Sequence, residues 1–155
     1  MALEVLLVED NTGDAVIARQ VLADAQAPVN LHIARDGEQA LWMLDTPDFK
    51  ADLIILDLGL PRVSGLMVLE RNKRKTTPIV VFSSLWHEPD VKRALDAGAC
   101  EYIVKPTDLK EFSEVLLGIV NKWGATGLHR SMPSAIGGVD PETKTCSLEA
   151  TETKK

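Results

Sequence analysis

The stretch Leu53-Ile-Ile-Leu-Asp-Leu-Gly-Leu-Pro61 decides the fold, because an apolar run ends on a single carboxylate and a turn. Ala51 to Leu56 is short and largely apolar, which is typical of a buried strand. Asp57 follows at once, and Gly59 and Pro61 then interrupt regular structure. Asp57 is therefore either a turn or capping aspartate, or a carboxylate held at a strand end for another molecule to reach.

The same pattern of a strand followed by a helix is found five times along the chain. Strands are predicted at 3–8, 29–34, 51–56, 79–82 and 102–104. A segment with apolar residues at helical spacing follows each strand, and the last one carries Leu109, Phe112, Leu116, Ile119 and Trp123. Near-continuous apolar strands are typical of a parallel sheet that is covered on both faces. The sequence therefore predicts an α/β protein with a doubly wound, five-stranded parallel sheet and five helices.

Composition limits the function classes. The chain has 155 residues, is 45% hydrophobic and 26% charged, and carries a net charge of -6. The negative charge argues against direct DNA binding, and no segment is long enough for a signal peptide or a membrane span. Of the two cysteines, Cys100 is expected to be a small buried residue and Cys146 a free thiol. We therefore expect a protein of the reducing cytoplasm.

Domain organisation follows from where the periodic pattern stops. Residues 1–124 are expected to form one domain. The segment 125–155 is rich in Gly, Ser, Thr and Pro without sustained periodicity, so it is predicted to be a flexible C-terminal tail. An alternative is that the tail packs over the domain through Leu128, Met132 and Ile136.

Polar side chains follow four of the predicted strands. Glu9 and Asp10 follow the first strand, Asp57 the third, Ser83 the fourth and Lys105 the fifth. Because the carboxyl ends of parallel strands share one rim of the sheet, we expect these groups to converge. Considered singly, each has an ordinary alternative as a helix cap, a strand-to-loop junction or a solvated surface residue. It is their convergence that favours a functional site.

The three carboxylates indicate a metal site. Clustered carboxylates repel one another, and a hard divalent cation removes the conflict. Magnesium prefers oxygen ligands and binds through one or two carboxylates while it retains waters. Asp10 and Asp57 suit direct ligation, Glu9 suits ligation through a bound water, and the carbonyl of Gly59 is a further candidate ligand.

The same groups suit phosphoryl transfer to a carboxylate. Asp57 would be the nucleophile, and no general base is required because a carboxylate is already ionised at neutral pH. The metal ion and Lys105 would neutralise charge on the transferring group. Ser83 offers a hydroxyl to the incoming anion.

Four motifs together resemble the receiver domain of two-component response regulators. They are VLLVEDN, LIILDLGLP, IVVFSS and YIVKP, and the resemblance covers about residues 1–124. It implies a flavodoxin-like fold with strand order 2-1-3-4-5. The stretches VEDNTGDA and VNKW are most similar to single-domain receivers that serve phytochrome-type histidine kinases. The resemblance therefore implies a stand-alone response regulator whose first partner is a sensor histidine kinase.

The family pattern implies a role for each matching residue. Asp57 is the phosphoacceptor and takes its phosphoryl group from a kinase phosphohistidine. Glu9 and Asp10 form the acidic pair for Mg²⁺. Lys105 matches the lysine of the pattern, and the bond to Pro106 is expected to be cis. The chain would then be no enzyme beyond its own aspartyl phosphorylation and dephosphorylation.

The resemblance also implies how the signal is passed on. Ser83 occupies the switch hydroxyl position and Tyr102 the rotating aromatic position, and a packed core aromatic is the alternative for Tyr102. Output is expected through a surface that includes Val91, Leu95, Tyr102 and the segment from Leu109 to Phe112, which would bind a downstream protein. Homodimerisation through that surface is a further hypothesis. Gly59 departs from the family pattern, in which a larger residue is frequent.

Three alternatives remain open at this stage. A flavin or nucleotide module of the same fold needs a phosphate cradle after the first strand, but the loop EDNTGD would repel a phosphate. A hydrolase using Asp57 on phosphate esters would need a second catalytic acid. A degenerate receiver would act as a phosphorylation-independent protein-binding module.

Overall fold

The computed structural model describes residues 2–73 and 76–129. Five strands are found at Leu3–Val8 (β1), Val29–Ala34 (β2), Leu53–Leu56 (β3), Ile79–Ser83 (β4) and Glu101–Val104 (β5). Five helices are found at Thr12–Asp24 (α1), Gly37–Asp45 (α2), Gly65–Arg71 (α3), Glu88–Asp96 (α4) and Leu109–His129 (α5). The predicted alternation of strands and helices is confirmed.

All strand pairs are parallel, and the sheet order is β2-β1-β3-β4-β5. The predicted fold class and strand order are therefore confirmed. The register matters for function, because Val8 lies opposite both Ala34 and Leu56. β1 and β3 consequently end level with each other, and the residues that follow them begin at the same rim.

The core consists of two apolar layers, one on each face of the sheet. Leu6, Ile54 and Val81 point to the face covered by α2, α3 and α4. Val5 and Ile55 point to the face covered by α1 and α5. Neighbouring strand residues point to opposite faces, so the apolar runs seen in the sequence are needed to bury both sides.

Several helix ends follow the sequence signals. Ser64 precedes α3, and its side chain accepts a hydrogen bond from the backbone N–H of Met67 at 3.3 Å. Asn11 and Asp36 cap α1 and α2 in the same way. Gly98 follows α4 with a φ of 118°, a conformation that glycine adopts without steric cost.

Trp42 and Trp123, both on helices, differ in burial. Trp123 is buried in the core, whereas Trp42 is 69% exposed. The buried face of α2 contains Ala40 and Leu44, and a residue two positions from Ala40 lies on the far side of a helix. Cys100 is buried as expected.

The structure describes only the start of the predicted tail. Helical backbone continues to His129, past the expected domain end at residue 124. The rest of the segment 125–155, including Met132, Ile136 and Cys146, lies outside the described residues. Within the described ranges, no helix is long and apolar enough to cross a membrane.

Candidate functional site

Parallel pairing brings Glu9 and Asp57 to the same edge of the sheet. The backbone N–H of Asp57 donates to the carbonyl of Val8 at 3.1 Å, and that of Glu9 donates to the carbonyl of Ala34 at 2.9 Å. Each residue thus continues the ladder by one step beyond its strand. Both carboxylates are buried at this rim.

Lys105 enters the same pocket from the end of β5. Its backbone N–H donates to the carbonyl of Ser83 at 2.9 Å, which fixes the chain at this point. Its ammonium nitrogen Nζ lies 2.5 Å from Glu9 Oε1, 2.8 Å from Asp14 Oδ2 and 3.3 Å from Asp57 Oδ2. An ammonium group has three N–H donors, and here each has a carboxylate acceptor.

The second oxygen of Asp57 is also hydrogen-bonded. Oδ1 accepts from the hydroxyl of Ser83 at 2.9 Å and from the backbone N–H of Gly59 at 3.1 Å. Lys105 binds the other oxygen, Oδ2. The carboxylate therefore has a fixed orientation.

Asp10 completes an acidic cluster at the open side of the pocket. One carboxylate oxygen each from Glu9, Asp10 and Asp57 lies within 4.8 Å of the other two. Asp10 is exposed, whereas the other two are buried, so the cluster has one face toward solvent. Arg35 borders it, donating to the hydroxyl of Thr12 at 2.6 Å and to the carbonyl of Asp10 at 3.4 Å.

The electrostatics of the pocket separate its two buried carboxylates. Burial raises the pKa of Glu9 to about 7, although Lys105 acts in the opposite direction. Burial also acts to raise the pKa of Asp57, but Lys105 and the bonds from Gly59 and Ser83 outweigh it and hold that pKa below its usual value. The carboxylates in turn raise the pKa of Lys105 in spite of its burial. Asp57 is thus the carboxylate that the pocket favours in its ionised form.

A glycine allows α3 to approach the site. A Cβ on Gly65 would lie 2.4 Å from the carbonyl oxygen of Asp57 and 2.6 Å from the Cα of Leu58. The backbone N–H of Gly65 donates to the carbonyl of Leu58 at 3.1 Å. The loop after β3 is therefore held against the start of α3, and any larger residue at 65 would displace it. Sequence reasoning did not assign this role to Gly65.

Tyr102 is connected to the pocket through Leu85. The hydroxyl of Ser83 accepts a hydrogen bond from the backbone N–H of Leu85 at 3.2 Å, and the carbonyl of Leu85 accepts one from Tyr102 at 2.5 Å. The ring of Tyr102 is buried and meets Trp86 edge-on at 5.5 Å. In this structure Tyr102 therefore packs as a core aromatic whose hydroxyl is hydrogen-bonded.

The predicted output surface needs correction. Val91 and Tyr102 are buried, so they do not present an exposed face to a partner. Leu109, which is part of the predicted surface, is exposed, and Leu85, Trp86 and Val104 are also exposed large apolar side chains. The expectation of a cis bond before Pro106 is also wrong, because this peptide bond is trans.

Asp14 is a member of the pocket that sequence reasoning missed. It lies in the first turn of α1, and its Oδ2 is 2.8 Å from Lys105 Nζ. An acidic residue in the first turn of a helix is usually explained by the helix dipole. Its position directly after the loop that follows β1 was the available signal.

Comparison with known proteins decides the family. The family model for the response regulator receiver domain matches residues 5–117. The chain is a receiver domain. It belongs to the response regulator receiver family, whose members work in two-component systems with histidine kinases and bind Mg²⁺ or Mn²⁺ at an acidic pocket.

Individual relatives differ in length. The receiver is 32% identical to response regulator Rcp1 of Synechocystis over 77% of this chain and 87% of Rcp1. It is 33% identical to the transcriptional regulatory protein DltR of Streptococcus agalactiae over 97% of this chain, but it spans only 65% of DltR. The crystal structure of the phosphorylated cyanobacterial phytochrome response regulator RcpA matches with a TM-score of 0.76 and 31% identity, covering 81% of this chain and 96% of RcpA.

Proposed function

We propose that this receiver is a phosphorylation-dependent switch that accepts a phosphoryl group on Asp57 from the phosphohistidine of a sensor histidine kinase. One observation carries the proposal: the Asp57 carboxylate is held between Lys105 and Ser83 while it belongs to an acidic cluster with Glu9 and Asp10. The cluster offers oxygen ligands for a cation on one side of the nucleophile, and the hydrogen bonds orient the carboxylate on the other.

The donor set fits a magnesium ion. Three carboxylates from two loops, one of them exposed, offer the hard oxygen ligands that Mg²⁺ prefers and leave room for water. We assign Asp10 and Asp57 as ligands, Glu9 as a ligand through water, and the Gly59 carbonyl as a further ligand. When bound, the ion would offset the charge of the carboxylates and of the incoming phosphoryl oxygens. The solved Mn²⁺-bound form of Rcp1, which is 31% identical with a TM-score of 0.71, supports a divalent ion here.

The transfer itself needs no proton abstraction. An oxygen of Asp57 attacks phosphorus, the bond from phosphorus to the imidazole nitrogen breaks, and that nitrogen keeps the electron pair. Lys105 donates to Oδ2 of Asp57 and can also donate to a phosphoryl oxygen. Ser83 donates to the other carboxylate oxygen, Oδ1. The low pKa of Asp57 keeps the nucleophile ionised.

Phosphorylation would be read out through the contacts of Ser83. Its hydroxyl donates to Asp57 Oδ1, and phosphorylation brings phosphoryl oxygens that can accept from this hydroxyl instead. The same oxygen accepts from Leu85, whose carbonyl holds the hydroxyl of Tyr102. We propose that this chain of hydrogen bonds shifts Leu85 and Trp86, which are exposed at the surface beside α4.

Partners are proposed on the basis of similarity and surface chemistry. The similarity to Rcp1 and RcpA supports a phytochrome-type kinase as the phosphoryl donor. Output is proposed to occur by contact with a downstream protein, or by homodimerisation, at the surface that exposes Leu85, Trp86, Val104 and Leu109. We place the signalling domain at residues 1–124 and propose that it works in the cytoplasm.

Intact mass after incubation with Mg²⁺ and a small phosphodonor tests the proposal. We expect an adduct of one phosphoryl group that is absent in Asp57→Asn. Asp52→Asn is a matched control, because Asp52 precedes the other end of β3 and its carboxylate bonds the backbone of Glu4. No adduct on the unmodified protein would contradict the proposal and favour a phosphorylation-independent binding module.

A further inference from the structure

The ammonium group of Lys105 has one carboxylate partner outside the proposed metal cluster. Glu9 and Asp57 belong to that cluster, whereas Asp14 does not. Asp14 also belongs to a different kind of element, since it lies within a helix and the other two follow strands. The three acceptors are therefore not equivalent once a metal ion and a phosphoryl group enter the pocket.

We propose that Asp14 is a positioning residue that holds the Lys105 ammonium in the pocket while Glu9 and Asp57 turn to the metal ion and the phosphoryl group. The inference rests on the proposed function, because it concerns the same phosphoryl transfer. Asp14 does not touch the reacting atoms in this account. It acts through Lys105.

The position of Asp14 suits an anchor. Its backbone N–H donates to the Asn11 side chain at 3.0 Å, which fixes the first turn of α1. Its Oδ2 lies closer to Lys105 Nζ, at 2.8 Å, than the Oδ2 of Asp57, at 3.3 Å. Its side chain is 30% exposed, so it lies at the wall of the pocket, whereas the nucleophile Asp57 lies deeper inside.

Loss of this carboxylate would leave Lys105 with two acceptors that the metal ion also needs. The ammonium group would then compete with the metal ion for Glu9, or the flexible lysine side chain would move it away from the phosphoryl group. An asparagine at 14 has nearly the same shape but makes a weaker, uncharged hydrogen bond. We expect Asp14→Asn to slow phosphoryl uptake at saturating Mg²⁺ by about tenfold, a loss typical of a misplaced charged group.

A double-mutant cycle separates positioning from a general structural effect. Uptake rates are measured for the unmodified protein, Asp14→Asn, Lys105→Met and the double variant, with Asp24→Asn as the charge control at the far end of α1. We expect Asp14→Asn to slow uptake only when Lys105 is present, and Asp24→Asn to stay within about twofold of the unmodified rate. Equal slowing in both backgrounds, or no slowing by Asp14→Asn, would overturn the proposal.

A second readout needs neither metal nor phosphodonor. Nitrogen-15 NMR of the side-chain ammonium groups should show a slowly exchanging Lys105 signal in the metal-free protein, identified by its loss in Lys105→Met. We expect the signal to survive in Asp24→Asn and to be broadened by exchange with water in Asp14→Asn. An unchanged signal in Asp14→Asn would refute the anchor, even if Lys105→Met takes up no phosphoryl group. Failure of the unmodified protein to be phosphorylated would instead contradict the proposed function.

Discussion

Two glutamates at opposite ends of β1 have opposite electrostatics. Glu4, near the start of the strand, is 35% exposed in its side chain and bonds His32 and Asn30, each at 2.7 Å. These hydrogen bonds lower its pKa. Glu9, just after the strand, is 3% exposed, and burial raises its pKa to about 7 even though Lys105 lies beside it.

The difference shows which end of the sheet is organised for chemistry. Glu4 shares its two oxygens between two partners and remains in contact with water, so its ionised form is stabilised. Glu9 shares a single ammonium group with Asp14 and Asp57 in a buried pocket. A buried cluster with more carboxylates than cations is costly in itself, and such clusters occur where a ligand or reaction requires them.

The largest expected effect comes from removing the cation of the pocket. Lys105→Met should destabilise the metal-free protein by about 3 kcal/mol at pH 8, because buried carboxylates are left without their counter-charge. His32→Gln, which removes the partner of Glu4, should cost less than about 1 kcal/mol. Chemical denaturation measures both values.

Magnesium provides the check on that result. Saturating Mg²⁺ should restore part of the stability lost in Lys105→Met, since an ion that binds only the folded state stabilises it. It should not restore stability to His32→Gln beyond the gain of the unmodified protein. Equal losses in the two variants would show that the two ends of β1 do not differ as described.

Metal affinity gives the next contrast. Glu9→Gln should weaken Mg²⁺ binding about tenfold, the usual loss when a group that supports metal-bound water is removed. Glu4→Gln makes the same chemical change at the other end of β1 and should leave the affinity within about twofold. Titration calorimetry compares the two variants, and a similar loss in both would argue against the acidic cluster as the binding site.

The pH dependence of stability should differ between the two glutamates. The pKa of Glu9 rises from 4.5 to about 7 on folding, so its contribution to stability is present below pH 4.5 and is lost as the pH rises toward 7. Without metal, the free energy of unfolding of Glu9→Gln relative to that of the unmodified protein should therefore increase by about 1 to 2 kcal/mol from pH 5 to pH 8. Unfolding curves at both pH values would show it, and a difference that does not change with pH would contradict the raised pKa.

The smallest effect belongs to Glu4. Its pKa is lowered on folding, so its contribution is present above pH 4.5 and is lost as the pH falls through the lowered value. Glu4→Gln should cost about 0.5 kcal/mol at pH 7, as expected for a solvent-screened pair. The cost should disappear in acid, and a cost that grows there would reverse the sign of the comparison.

Much of the site could be predicted because parallel strands end on one rim. The apolar runs locate β1, β3, β4 and β5, and the residue after each run must then lie near the others. This reasoning places Glu9, Asp57 and Lys105 together, although they are distant in sequence. This reasoning needs only the direction of the strands and the alternation of side chains between the two faces of the sheet. The pattern of apolar residues predicts both.

Features that depend on helix rotation and loop conformation were harder to predict. Asp14 faces the pocket because of the cap of α1 and the rotation of this helix about its axis. The positions of the strand ends do not predict that rotation. The exposure of Trp42 likewise depends on helix rotation, because it lies two residues from the buried Ala40. Val91 and Tyr102 were wrongly assigned to the output surface because both point inward, which depends on packing between α4 and β5.

Reductive trapping tests the central claim most directly. Borohydride reduces an aspartyl phosphate to homoserine, so the acceptor residue is marked permanently and can be located by peptide mass spectrometry. After incubation with Mg²⁺ and a phosphodonor, we predict homoserine at position 57 and unmodified aspartate at position 10. Phosphorylated protein with unmodified aspartate at 57, or homoserine at another position, would contradict the account.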